Sequence, residues 1–361
     1  MVHSIIKFEL ALNEIKSTPL SLKVKRQLHQ RMGAENLFNI AKLVGAPCSF
    51  SRAEKIYTGK TMISPKSPGM ILSNYRSTCD FLYSSSNDKY ISLSPSLLLH
   101  INKLLLHQLV ETWEAGRFRN QNDEIATKYD KWHKELNTNS PDFDYQKHFY
   151  DVMNWFSTKQ YRIQPIIKIG VVLYELFNAY PFNAGNQLTI LATAELLFEK
   201  SRISNRGLFP VSRLFLIYKD EYIDALNSSN KKKNDITAWL EIFLKSTALE
   251  MVSLKNEIIR IEEEKIKQKK KKLLDLNSRQ LKLLRRLRYK PKIYRRDYVD
   301  MMGISTMTAY RDLKQMVKRK IISVNGGGRS TYYTLPRKQA KKVTVEHREP
   351  AKVIKVINDL A

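Results

Sequence analysis

Between Ser94 and Met251 the apolar residues recur at helical spacing, and no stretch keeps the period of two expected of a strand beyond short pieces. Ser94-Pro95 opens the first helix, a hydroxyl cap followed by proline at the first helical position. LLLHINKLLLHQLVETW continues it for about four to five turns, and AGRFRN stops it with a glycine and an irregular segment. Further helices are predicted at 144–158, at 165–180 with Pro165 near its start, after Gly185-Asn186, at SRLFLIYKDEYIDAL and at DITAWLEIFLKSTALEM. The body is therefore expected to be all-helical. Before it, residues 1–90 show helical spacing around Leu20–Gln30 and Ala34–Val44, then a Ser/Pro/Gly-rich loop, ISPKSPGMILSN.

After the body, Met251, Leu254, Ile258 and Ile261 follow at helical intervals and give way to EEEKIKQKKKK. Two heptads fall short of a sustained coiled coil, so residues 251–276 are expected to form a long exposed connecting helix, where a homodimer contact has room to form. From Asn277 the pattern changes. NSRQLKLLRRL is one helix, RRDYVDMMG a second ended by Gly303, and ISTMTAYRDLKQMVKR a third after a short turn. That is helix-turn-helix spacing. IISVNGGGRSTYYTL adds two β-rich runs around a Gly-rich, basic turn, a hairpin signal. The expected organisation is an N-terminal segment (1–90), a helical domain (91–250), the connecting helix (251–276), a winged helix-turn-helix (277–336) and a basic tail (337–361).

Charge sharpens this division. Of the net +27, residues 1–250 carry +8 and residues 251–361 carry +19. So basic a block points to a polyanion, usually nucleic acid. In a winged helix the third helix lies in the major groove with its N-terminal residues at the base edges. Here those are Thr306, Met307, Thr308, Tyr310 and Arg311, with Lys314 a turn further; Arg329 sits at the tip of the wing beside Ser330 and Thr331. Duplex DNA is the expected partner, and the segment resembles the winged-helix tails of bacterial regulators.

Composition excludes several other classes. The chain of 361 residues is 43% apolar without a run approaching the ~18 uncharged apolar residues of a membrane span. Cys48 and Cys79 are the only cysteines and the seven histidines show no zinc spacing, so neither a disulfide framework nor a metal site is expected. The N-terminus lacks the layout of a secretory signal, and a cytoplasmic location is the expectation. Gly59-Lys60-Thr61 is no P-loop, since Glu54 stands where the first glycine is required.

One stretch bears on chemistry: AYPFNAGNQLTILATAELLF, from Ala179 to Phe198. A Gly-Asn turn that opens a helix presents unpaired N–H groups and the positive end of the dipole, a place for an anion. Gly185, Asn186 and Gln187 are the candidate residues for weak nucleotide or anion binding there. The stretch resembles the signature of the Fic/DOC (Fido) family, His-Pro-Phe-x-Asp/Glu-Gly-Asn-Gly-Arg-x-x-Arg. The surroundings resemble it too: LLLHINKLLLHQ with AGRFR, IQPIIKIGVVLYELFNAY, and the two helices that follow. The resemblance implies a helical domain over about 90–250 and AMP transfer from ATP to a protein hydroxyl. In that reaction the histidine acts as base, the acid holds Mg²⁺, and the turn and arginines hold phosphates.

Here Pro181, Phe182, Gly185 and Asn186 keep the pattern, while Tyr180 replaces the histidine, Ala184 the acid, Gln187 the second glycine, and Leu188 and Leu191 the arginines. Tyrosine is a poor base at neutral pH and alanine holds no magnesium. No catalytic residue and no cofactor are expected. The expectation is a mainly α, Fic-like protein with an inactive transfer site joined to a DNA-binding module in a regulatory role. Two alternatives stand beside it: an active adenylyl transferase using ATP, Mg²⁺ and unconventional residues on a target protein, and a protein-interaction scaffold.

Overall fold

The structure, a computed structural model, describes residues 1–85, 93–120, 130–136, 144–158, 163–204, 207–231, 235–274 and 276–336. The chain divides into two compact units, Met1–Ile261 and Glu262–Ala361.

The described residues of the first unit are built of helices joined by loops. Its helices are α1 (Val2–Ser17), α2 (Leu22–Val44), α3 (Phe50–Tyr57), α4 (Pro68–Ser85), α5 (Pro95–Leu105), α6 (Tyr145–Ser157), α7 (Pro165–Ala179), α8 (Asn186–Lys200), α9 (Val211–Ile217), α10 (Lys219–Lys231) and the long α11 (Thr237–Leu274), which runs on past this unit. Helix α8 is the axis: every residue from Asn186 to Phe198 is buried, and α2, α4, α5, α7 and α9 pack around it. A helix covered on all sides belongs to the interior of a large core. Helices α7 and α11 cross at Gly170, where a Cβ would lie 2.8 Å from the Phe243 ring. Trp239 Nε1 donates to the Gly170 carbonyl at 2.7 Å across the same contact.

Several elements differ from the sequence reading. Helix α1 was not anticipated, although Phe8, Ala11 and Leu12 form its buried stripe. The two stretches Leu20–Gln30 and Ala34–Val44 are one helix, with Gly33 inside it; a side chain there would enter the Tyr57 ring, 2.1 Å away. Pro68 opens α4, so the loop in ISPKSPGMILSN ends at Ser67. The helix from Ser94 stops at Leu105, well short of Trp113. Asn74 Nδ2 on α4 donates to the carbonyls of Leu105 (3.1 Å) and His107 (2.7 Å), which satisfies the helix end, and Gln108 turns the chain through φ 59°. SRLFLIYKDEYIDAL is two helices broken at Tyr218. The exposed connecting helix expected over 251–276 is instead the continuation of α11, and Met251, Leu254 and Ile258 are buried in the first core.

The second unit contains α12 (Ser278–Tyr289), β1 (Lys292–Tyr294), α13 (Arg295–Met302), α14 (Thr306–Lys318), β2 (Ser323–Asn325) and β3 (Tyr332–Thr334). The strands form an antiparallel sheet of order β1-β3-β2, with Ile293 and Val324 both opposite Tyr333. β2 and β3 are the predicted hairpin; β1 was not foreseen. Asn277 and Gln280 form a capping box for α12, and Gly303 in the left-handed region ends α13. Buried Asp312 ties the helices together by accepting from Arg279 Nε (3.0 Å), Asn277 Nδ2 (3.1 Å) and the Tyr298 hydroxyl (3.2 Å). Leu283, Leu287, Ile293, Leu313, Met316 and Tyr333 fill a core of its own.

Candidate functional site

The turn between α7 and α8 is built from the inside. Tyr180 leaves α7 in the left-handed region (φ 46°, ψ 61°), uncommon for a residue with a side chain and held only by strong neighbours. Arg119 supplies them. Its guanidinium donates to the carbonyls of Tyr180 (2.9 Å) and Ala179 (3.3 Å), and its backbone N–H to the Pro181 carbonyl (2.9 Å). A cation on the terminal carbonyls of a helix also meets the negative end of its dipole. The backbones of Phe118 and Phe182 form a single antiparallel bridge, and their rings lie 5.6 Å apart. Phe182 is fully buried.

The residues expected to hold an anion face the same way. Gly185 takes φ 70°, and a Cβ there would meet Leu106 at 2.8 Å. The Asn186 amide closes on Phe182, accepting from its N–H at 2.8 Å and donating to its carbonyl at 2.7 Å. Gln187 is fully buried. In the orientation that satisfies both its atoms, it donates to the Leu43 carbonyl (3.2 Å) and accepts from Trp132 Nε1 (3.0 Å). Asn102, also fully buried, donates to the Ala184 carbonyl (2.9 Å) and Thr189 Oγ1 (3.0 Å) and accepts from the Gly116 N–H (2.8 Å). Both Asn186 and Gln187 therefore point into the protein, and neither side chain is open to a ligand.

An acceptor does lie at the start of α8, and it is the chain's own. Asp130 Oδ2 accepts from the Gln187 backbone N–H at 3.3 Å, and Asp130 Oδ1 accepts from the Tyr180 hydroxyl at 2.5 Å. Both side chains are buried. Burial, and then the adjacent carboxylate, push the Tyr180 phenol well above its usual range, so it stays a proton donor and is no base. This pair also decides whether Mg²⁺ and a triphosphate fit. Ala184 offers no ligand, and Asp130, the carboxyl group that the described residues bring to this turn, already holds a phenol and a helix N–H. The donor set does not fit the group.

Sequence reasoning missed Asp130, Arg119 and Asn102 as makers of the turn. Arg119 lies within AGRFR, a segment that carries the family resemblance. Asp130 stands in TKYDKWHKEL, which carries no periodicity that marks it.

In the second unit, α14 buries Ala309, Asp312, Leu313 and Met316 and turns Thr306, Met307, Tyr310, Arg311 and Lys314 to solvent. Tyr310 lies beneath two cations, with Arg295 at 5.1 Å and Lys314 at 5.5 Å from its ring centre. Thr308 is half-buried at the helix start, its hydroxyl bonded to that of the capping Ser305 at 2.9 Å. Lys292 similarly lies over Tyr294 (5.7 Å) and Tyr332 (5.9 Å). Arg329 falls in the single turn Gly328–Ser330 between β2 and β3; its side chain, like the tail at 337–361, is outside the described residues. The hydroxyls of Ser330 and Thr331 donate to the carbonyls of Gly327 (2.8 Å) and Gly328 (2.9 Å).

Residues 92–198 match the Fic/DOC family. The structure is similar to a Fic family protein from Desulfovibrio desulfuricans at 15% identity and TM-score 0.51, covering 92% of this chain and 96% of that one. A Fic domain-containing signaling protein from Bacteroides thetaiotaomicron is similar at 14% identity and TM-score 0.53, covering 69% and 98%. A fragment of Fic-1 from C. elegans is similar at 16% identity and TM-score 0.52, covering 72% and 74%. No curated protein matches the sequence. These likenesses speak to the fold: a buried α8 entered through the Pro-Phe-Asn-Ala-Gly-Asn turn, with the helices before it in order. The chain carries, over residues 92–198, a domain of the Fic/DOC family.

Proposed function

We propose that the protein binds duplex DNA through residues 277–336, acting as a winged helix-turn-helix, and that its Fic/DOC domain transfers no AMP and serves a regulatory role. The observation that carries the DNA reading is the solvent face of α14. Thr306, Met307, Tyr310, Arg311 and Lys314 lie on it together, within a segment whose net charge is +12. In this reading α14 enters the major groove and Arg311 meets base edges. Lys314 and Arg329, the latter on the turn between β2 and β3, meet phosphates, which position the protein without carrying sequence information. Exposed lysine and arginine ammonium and guanidinium groups release condensed counterions from DNA, so binding weakens steeply with salt.

The reading of the Fic/DOC domain rests on Tyr180 and Asp130. A phenol held protonated at the place of the family's base, and a carboxyl group at the place where phosphates would meet the start of α8, leave no group among the described residues of the turn to take a proton or hold a phosphate. Among the described residues no helix is long and apolar enough to cross a membrane. The proposed site of action is the cytoplasm. The test is a mobility-shift titration of the full chain with duplex DNA at two salt concentrations, beside an AMP-transfer assay with labelled ATP. Salt-dependent retardation without labelling is expected. No retardation of any duplex at low salt sinks the DNA reading, and labelling that vanishes in Tyr180→Phe sinks the other.

A further inference from the structure

The sheet of the second unit has one face in the core and one turned to solvent. Ile293 and Tyr333, neighbours across β1 and β3, are both buried. Side chains alternate along a strand, so the residues that flank these two turn the other way. They are Lys292 and Tyr294 on β1, Tyr332 and Thr334 on β3, with Ser323 and Asn325 beside them on β2. The register sets these six in two rows: Tyr294, Tyr332 and Asn325, then Lys292, Thr334 and Ser323.

The first row is aromatic and the second brings a cation to it. The Tyr294 and Tyr332 rings lie 6.1 Å apart, inclined by 58°. Lys292 Nζ lies 5.7 Å and 5.9 Å from their centres. Lys292 and Tyr294 are exposed and Tyr332 is half-buried. Asn325 Nδ2 donates to Thr334 Oγ1 at 3.0 Å and ties the two rows together.

Charge around this face has one sign. YKPKIYRR, from Tyr289 to Arg296, interleaves two tyrosines with four cations and holds no acid. The acid that follows, Asp297, accepts from the Tyr294 N–H at 3.1 Å. The strands β2 and β3 and the turn between them carry no acid either. Arg295, next to Tyr294, lies over Tyr310 of α14 at 5.1 Å, so the face runs on into the solvent side of that helix.

We propose that this face binds single-stranded DNA, with unpaired bases stacked on Tyr294 and Tyr332 and phosphates met by Lys290 and Lys292. The pairing of features selects the ligand. An unpaired base of any sequence offers a π-face to an aromatic ring, while a basic surface tracks the backbone. In a duplex the same faces are stacked on one another and out of reach. An acidic peptide answers the cations but not the rings. DNA is chosen over RNA because the face adjoins α14, and in that choice alone the inference rests on the DNA reading above.

The experiment is fluorescence anisotropy of the full chain with a labelled oligothymidylate of about ten nucleotides, beside an abasic strand of equal length and a blunt duplex. Saturable binding of oligothymidylate at least about tenfold tighter than the abasic strand is expected, because the two share their phosphates and only one carries bases. Tyr294→Leu and Tyr332→Leu should each weaken it about five- to hundredfold, the range of a lost base–aromatic stack, while Tyr294→Phe keeps it. Lys292→Gln should lower the slope of log affinity against log salt by about 0.7. The proposal is overturned if the abasic strand binds as well, or if both leucine variants, folded by circular dichroism, bind like wild type. Tighter binding of a ribonucleotide strand of the same length also overturns it and gives the face to RNA. Should the leucine variants not fold, photocrosslinking of the wild-type chain to a strand carrying 5-iodouracil decides. Crosslinks at Tyr294 or Tyr332 support the proposal, and crosslinks confined to other residues overturn it. Loss of the duplex arm beside retained single-strand binding removes the duplex reading alone.

Discussion

At the scale of residues, the α7–α8 turn is a packing device with a buried polar seam. Phe182→Ala removes a fully buried ring held against Phe118 and should cost about 3–5 kcal/mol in denaturant unfolding; a loss under about 1 kcal/mol would mean the turn is exposed. Tyr180→Phe leaves Asp130 buried with one donor fewer, at a cost of about 1–3 kcal/mol. Glu195 sets a pH dependence of its own. Burial raises its pKa to about 7 in the folded chain against 4.5 for the free group, so its contribution is full below pH 4.5 and is lost as pH rises to 7. Integrated, that is roughly 3 kcal/mol. The stability of wild type relative to Glu195→Gln, measured by urea unfolding from pH 5 to 8, should fall across that range; a flat difference would contradict the assignment. The replacements at Tyr180 and Ala184 were legible, because a motif shows its own gaps. Asp130 was not, because a residue that acts from 50 positions away leaves no local pattern.

At the scale of elements, helices with a clear apolar stripe and a cap could be read nearly to the residue: α6, α7, α12 and α14 start and stop where their signals lie. Errors arose where tertiary contacts override local pattern. Leu106 and Leu109 continue the apolar run of α5, yet both are buried in a loop because Asn74 takes the carbonyls that a further turn would need. Residues 251–276 were read as an exposed connector from their charged second half, while Met251, Leu254 and Ile258 lie in the core. β1 is three residues long with one buried side chain, too short for any period to register. The α7–α11 crossing offers the test. Gly170→Ala places a methyl 2.8 Å from Phe243 and 3.0 Å from Leu240, in a core that must shift to admit it. A loss of about 1–3 kcal/mol in thermal or denaturant unfolding is expected.

At the scale of the whole molecule, the chain couples a mildly charged helical unit to a strongly basic one, and two substitutions separate what the basic unit reads from what merely holds it. Arg311→Ala should weaken binding to a specific duplex by about 1–3 kcal/mol and relax sequence preference. Arg329→Ala should weaken all duplexes about equally and lower the salt slope by about 1. Mobility-shift titrations across salt concentrations distinguish the two, and equal effects of both on every sequence would remove the base-reading role of α14.

Asp130 has a consequence that reaches beyond the missing histidine and arginines. A tethered carboxylate sits at its own helix terminus at an effective concentration that linkage alone can raise to the millimolar range and above. In this sense Asp130 competes with any outside acceptor for the Gln187 N–H. Restoring a histidine at 180 and an acid at 184 would therefore leave the Gln187 N–H engaged by Asp130, and no AMP transfer is expected from the repaired chain while Asp130, Leu188 and Leu191 remain.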